Sequence, residues 1–312
     1  MSAFTVCLNG VVPIFLIMAL GYLARCLGAI KREDVPRLNK MLFRFFMPVM
    51  IFYDIYSSEI TDAVQPKVII FGIVGVLVEY ALSLIFVLLT EKDQSKRGVK
   101  IQGFYRSNLV IIGLTLATAL VPGADIAPAV ILVATVVPFF NALAVITLEV
   151  FSGGKPKPLH IVLDIIKNPL IIGAAVGILF LLLKIRLPEA IVSTTAQIAR
   201  ATTPMMLFLL GAFFRWDGLR EYAKDLIEVC LARLIVMPGI FLTAAYLIGI
   251  RGIAFAGMIA VFGSANSIAS FTMVQQMGGD DELAGDIVVT TSALCCFTMF
   301  GWSMLFKFLG AF

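Results

Sequence analysis

The sequence predicts an all-α polytopic membrane protein, with ten transmembrane helices in two inverted five-helix repeats and with helices 4 and 9 interrupted. Three observations carry this expectation. The 312-residue chain is 60% hydrophobic and only 14% charged, with mean hydropathy +1.01, whereas a soluble domain carries about 25% charged residues. Apolar stretches of roughly 20 residues, the length of a membrane-spanning helix, recur along the whole chain. Two of those stretches are interrupted by short polar runs, Arg106-Ser107-Asn108 and Ser264-Ala265-Asn266-Ser267, whose asparagines lie 158 residues apart. A β-barrel does not fit, because its strands alternate apolar and polar residues over about ten positions.

Taken in order, the first apolar stretch is Phe4–Leu27. No basic residue precedes it and it is longer than the apolar core of a signal peptide, so it reads as the first span. The following spans are Leu38–Ser57, Pro66–Leu89, Val99–Val121 and Ala127–Phe151. A short run rich in Gly and Pro, Ser152–Pro158, then separates the halves. Ile161–Leu183, Ala190–Phe214, Tyr222–Ile248, Ile253–Met277 and Leu283–Leu309 complete the set. The expected division is residues 1–151, a cytoplasmic linker at 152–159, and residues 160–312.

The halves resemble each other at a fixed offset. Pro13, Gly21 and Pro48 recur 156 residues later as Pro169, Gly177 and Pro204, and Asn108 recurs at nearly the same offset as Asn266. Five spans is an odd number, so the second repeat enters the membrane upside down, the architecture of many secondary carriers. Loops after the odd-numbered spans carry most of the lysines and arginines, from Arg25, Lys31 and Arg32 to Arg215, Arg220 and Lys224. The positive-inside rule therefore puts those loops in the cytoplasm and both termini outside a cell (inner) membrane. The loop Gly278–Asp286 has no basic residue and does not share the bias.

Polar groups inside the spans define the candidate site. Gly103, Ser107, Asn108, Gly113 and Thr115 surround the first interruption; Gly257, Gly263, Ser264, Asn266, Ser267 and Ser270 surround the second. Glycine loosens a helix, and Ser and Asn side chains re-pair freed backbone groups. Broken helix is tolerated in a membrane only where it is buried in protein or lines a cavity. A half-helix beginning after each break presents free N–H groups and partial positive charge, which is an anion site. Gly113 and Gly263 are the expected break glycines. The competing reading is two continuous helices glued by interhelical hydrogen bonds.

Asn141, mid-span after Pro138, either lines the same cavity or pairs a neighbouring carbonyl. Glu79, in the middle of span three, is the candidate ion-coupling carboxylate, or else a structural carboxylate with a partner. Glu228 and Arg233 read as ion-paired within span eight, and Asp54 as interfacial. Arg106 either attracts an anion or snorkels to the cytoplasmic surface. Gly173 and Gly177 form a small-xxx-small packing pair. Five scattered cysteines, with Cys295 and Cys296 adjacent, and a single histidine, His160, supply no metal-ligand set. No cofactor is expected beyond a coupling Na+ or H+. The net charge of +4 lies in loops beside the spans and implies no nucleic-acid partner.

"FYRSNLVIIGL", "PVMIF", "IIKNPLIIGAAVGIL", "TTPMMLFLLGAFF" and "FFNALAV" together resemble the auxin efflux carrier family, whose bacterial members include organic-acid (malonate-type) transporters. The similarity runs along essentially the whole chain. It implies the fold shared with bile-acid sodium symporters and sodium/proton antiporters. Helices 1, 2, 6 and 7 would form a scaffold. Helices 3–5 and 8–10 would form a moving transport domain in which helices 4 and 9 cross. The family often has a proline directly after the pair that is Gly113-Leu114 here. This chain has Thr115 at that place, and no proline from Arg251 to Asp280. Plant members' long cytoplasmic loop is absent.

The expected function is a secondary active transporter of a small organic anion, a mono- or dicarboxylate or an auxin-like acid, by alternating access with an elevator-type movement. The bilayer surrounds it, and a homodimer through the scaffold is expected. The alternatives are a sodium-coupled symporter of a larger, bile-acid-like amphipathic anion and a membrane sensor without transport. An enzyme is not expected. Tyr53-Asp54 sits in a span as in intramembrane aspartyl proteases, but the required second Gly-x-Gly-Asp motif is missing, and no Walker-type phosphate loop occurs.

Overall fold

The computed structural model describes residues 3–58, 65–109, 120–121, 127–151 and 158–312. Helices dominate, and among the described residues no strand extends beyond one isolated bridge. Within a bilayer each backbone N–H and C=O must be paired internally, and helices do this within one segment.

The helices are α1 (Ala3–Cys26), α2 (Val35–Met41), α3 (Met47–Tyr56), α4 (Pro66–Thr90), α5 (Gln94–Tyr105), α6 (Ala127–Phe151), α7 (Pro158–Lys167) and α8 (Pro169–Leu182). They continue with α9 (Glu189–Phe213), α10 (Gly218–Glu221), α11 (Ala223–Leu231), α12 (Met237–Leu247), α13 (Gly252–Gly263), α14 (Ala269–Met277) and α15 (Asp281–Phe308). Four described helical stretches are long and apolar enough to cross a membrane: Pro66–Thr90, Pro128–Phe151, Ala223–Leu247 and Asp281–Phe308. Shorter apolar helices, among them α8 and α13, accompany them.

Several spans differ from uniform helices, and proline or a capping residue explains most of the differences. Between α2 and α3 the chain makes a π-helical turn, Leu42–Phe46, just before Pro48. A second, Ala232–Val236, precedes Pro238 between α11 and α12. Proline cannot donate to the carbonyl four residues back and its ring crowds that carbonyl, so a widened turn relieves the clash. Span six is divided into α7 and α8 at Asn168, whose side chain accepts the Leu170 N–H and caps α8, with Pro169 in its first turn.

Helices α1, α3, α8 and α9 pack together, α1 on α9 and α3 on both α8 and α9. Glycines set the closest approaches. A Cβ at Gly21 would overlap the Phe208 carbonyl oxygen, and one at Gly211 the Met18 carbonyl oxygen. Gly173 and Gly177 bring α8 against the backbone of α3 at Pro48 and Phe52. The close-packing reading of that pair therefore describes what the two glycines do. A second set, α4–α6 with α11–α15, buries α5 from Gly98 to Tyr105 and α13 from Ala254 to Gly263. Asp93 caps α5 on the Ser95 N–H, and the Ser95 hydroxyl also donates to it. Those bonds hold the Asp93 carboxyl below its usual pKa.

Candidate functional site: two helix ends crossing beside a cavity

The site begins where two helices stop. α5 ends at Tyr105, and Arg106 turns extended at φ −79°, ψ 129°. α13 ends at Gly263, and Ser264 turns extended at φ −79°, ψ 164°. The two extended segments cross as an antiparallel bridge between Ser107 and Asn266. The Asn108 N–H donates to the Ala265 carbonyl at 2.8 Å. The Ser107 hydroxyl lies against the Ser264 hydroxyl and the Ala260 carbonyl. Asn266 Nδ2 donates to the Gln102 carbonyl at 2.9 Å, and its N–H to Thr291 Oγ1 at 3.1 Å. Serine and asparagine therefore re-pair the freed backbone without a proline on the α13–α14 side. Gly263 is not there for lack of room, since a Cβ would meet only side chains at ordinary contact distance.

Crossing in this way brings two helix C-termini together, each carrying partial negative charge of about half an electron. Arg233, fully buried in the π turn before α12, answers both. Its guanidinium donates to the carbonyls of Phe104 and Tyr105 at the end of α5, and to those of Val261 and Ser264 at the end of α13. Glu79 of α4, also fully buried, pairs with it at 2.8 Å. The ion pairing read within span eight is thus redistributed. Arg233 takes Glu79, while Glu228 pairs with Lys100 at 3.0 Å. Lys100 is buried as well and also meets Glu91 and Asp225. Sequence alone lacked the signal for these partners, because only the tertiary crossing juxtaposes them.

Beside the crossing lies a cavity of about 240 Å³ that Arg233 does not line. Its floor is Arg106, Ser107 and Asn108 from the first break and Ser267, Ile268 and Ala269 at the start of α14. Val137, Phe140 and Asn141 of α6 form one side. The facing wall comes from α3 and α9 and includes Tyr53, Asp54, Arg200, Thr203 and Met206. Asn108 Nδ2 is buried and has no hydrogen-bond partner among the described residues. The N-terminal end of α14 borders the same space, so free N–H groups and positive dipole accompany that amide.

The structure therefore gathers Ser107, Asn108, Asn141 and Ser267 around one cavity. It places Ser264, Asn266 and Ser270 in the buried crossing, where Asn266 Oδ1 and Ser270 Oγ are without partners among the described residues. Glu79 lies on Arg233, away from the cavity wall. Gly113 and Thr115 fall outside the described residues. Asn141 both lines the cavity and accepts a hydrogen bond from Arg106 at 2.7 Å. Asp54, read as interfacial, stands on the cavity wall. Arg200 and Thr203 join this lining without an expectation from the sequence. Their signal was available in the polar run Ser193–Pro204 within an otherwise apolar span.

This fold is that of a membrane transporter. The structure of a sodium proton antiporter from Methanocaldococcus jannaschii at pH 8 superposes with a TM-score of 0.66, covering 93% of this chain and 92% of that one at 12% identity. The chain belongs to the membrane transport protein family, that of the auxin efflux carriers, whose sequence model matches residues 6–153 and 157–303. An uncharacterized transporter of Methanocaldococcus jannaschii is 26% identical over 315 residues, spanning 95% of this chain and 98% of its own. Another, from Methanothermobacter thermautotrophicus, is 21% identical over 299 residues, spanning 95% and 97%. The protein is accordingly a multi-pass membrane transport protein.

Proposed function

We propose that the protein is a secondary active transporter of a small organic anion, bound in the cavity beside the crossing. One observation carries the reading. The chain neutralises the two helix C-termini with its own Arg233. It leaves the start of α14 and the unpaired Asn108 amide facing a cavity. A bound carboxylate answers that helix start as Arg233 answers the helix ends.

The ten-helix, inverted-repeat arrangement belongs to the same proposal, with residues 1–151 and 160–312 as the repeats and 152–159 as a cytoplasmic linker. The reciprocal use of Gly21 and Gly177 supports it: each repeat's first helix packs by that glycine on the second helix of the other repeat. α1, α3, α8 and α9 act as the scaffold, and a homodimer forms through it. The remaining helices move as an elevator. Arg32 and Arg215 from the scaffold side clasp Glu282 of α15, and Asn39 meets Gln275 of α14. We place these contacts at the cytoplasmic face, with both termini outside. The cavity shares Asp54 and Val137 with a second hollow toward Ser57 and Ser58, which supports an outward-open reading of this state. Coupling is to H+ or Na+. If Glu79 carries a proton, that proton acts by loosening Arg233 from the crossing.

Uptake into proteoliposomes, with mono- and dicarboxylates and with proton and sodium gradients imposed separately, tests the proposal. Asn108→Ala removes a donor facing the cavity, worth about 1 kcal/mol, or roughly fivefold in affinity, and Asn266→Ala lowers uptake by removing the bond to the Gln102 carbonyl that holds the crossing. Asn9→Ala, exposed on α1, leaves uptake unchanged. A double Asn108→Ala/Asn266→Ala protein with wild-type uptake rejects the site.

A further inference from the structure

Three cationic side chains are buried among the described residues: Lys100, Arg106 and Arg233. Lys100 is matched by three carboxylates and Arg233 by Glu79. Arg106 has none. At 2% exposure, its guanidinium donates to Gln102 Oε1 at 3.0 Å and Asn141 Oδ1 at 2.7 Å, and touches the Met273 thioether. All three are neutral. A buried charge without a counter-ion costs several kcal/mol, and proteins otherwise pair such charges. Arg106 is also the only one of the three that lines the cavity.

We infer that Arg106 is the residue that binds the substrate's carboxylate. This rests on the proposed transport of an organic anion and names the group that selects it. Gln102 and Asn141 each take an N–H from the guanidinium and fix its plane. Its remaining donors suit the two oxygens of a carboxylate, a geometry that lysine cannot reproduce. Asn108 Nδ2 and the start of α14 add neutral donors on the same floor. Among the described residues, the charged side chains lining the cavity are Arg106, Arg200 and Asp54. Their formal sum is one positive charge, which a single carboxylate neutralises. The cavity volume of about 240 Å³ lies below the roughly 300–1,000 Å³ of drug-sized pockets.

Thermal stabilisation of the detergent-purified protein by propionate, malonate and succinate, against propionamide, malonamide and the bile acid cholate, tests the inference. Wild type is stabilised by at least one short carboxylate and by neither amide. Arg106→Gln loses that stabilisation, and Arg106→Lys binds about tenfold or more weakly than wild type. Asn141→Ala removes the acceptor that aims the guanidinium. It weakens binding too, and keeps the test available if Arg106→Gln fails to fold. A wild type that binds no carboxylate overturns the anion-transport proposal together with this inference. A wild type that binds carboxylates while a folded Arg106→Gln, or Asn141→Ala in its place, binds them equally well overturns the inference alone. Stabilisation by cholate but by no short acid overturns the substrate class.

Discussion

Arg233 and Arg106 are chemically the same side chain in equally buried places, and their partners separate their roles. Arg233 holds four carbonyls and a carboxylate. Removing either member of the Arg233–Glu79 pair leaves the other charge buried and unpaired, which costs about 3–5 kcal/mol. Arg233→Met is therefore expected to lower thermal stability sharply, and Arg233→Met/Glu79→Met to recover only the part owed to the unpaired Glu79, because the four carbonyls stay without their donor. Unfolding in detergent measures both, and a double variant as unstable as the sum of the singles refutes the pairing. Glu79→Gln also addresses coupling: gradient-driven accumulation disappears while exchange persists. Unchanged proton-driven accumulation removes Glu79 from the coupling role.

Helix contacts explain why glycine occupies particular places in α1, α8 and α9. Gly211 lies against the Met18 backbone with no space for a methyl group. Gly211→Ala must push α1 and α9 apart, an overpacking cost of about 1–3 kcal/mol. Gly301→Ala, where nothing lies within 4 Å of the added methyl, is expected to be harmless. Equal melting temperatures for the two variants contradict this account of the crossing. The Arg32–Glu282–Arg215 clasp makes a different prediction, because it joins helix groups rather than packing them. Glu282→Gln weakens the clasp and shifts the protein toward its other state. A cysteine introduced at Ser267, on the cavity floor, then reacts faster with a membrane-impermeant reagent added from the cytoplasmic side. Unchanged reactivity from that side argues that the clasp is not a gate.

At the scale of the whole molecule, the arrangement separates two electrostatic tasks. Arg233 answers the helix ends, and the cavity it does not line is left to Arg106 and neutral donors, so in the proposed site a ligand binds without disturbing Arg233. Orientation rests on the distribution of Lys and Arg in loops. Single cysteines in the Ser152–Pro158 linker are expected to label from the cytoplasmic side, and those near either terminus from outside. Linker labelling from outside alone contradicts the inverted ten-span proposal.

Much of this was legible in the sequence because the bilayer imposes a simple rule. Apolar length sets the membrane helices, and a polar run inside one marks a place where helix cannot continue. Ser107-Asn108 and Ser264-Asn266 thus marked the two interruptions, and Gly173 and Gly177 a close contact. Which polar groups meet was decided by the tertiary structure. Arg233 is separated from Glu79 by 154 residues and from Tyr105 by 128, and no local spacing relates them. The same holds for the cavity wall. Asp54 and Arg200 belong to different helices, and only packing places both opposite Arg106. Sequence determines where a helix must break; the counter-charges that make the break affordable, and the cavity left without one, depend on long-range contacts.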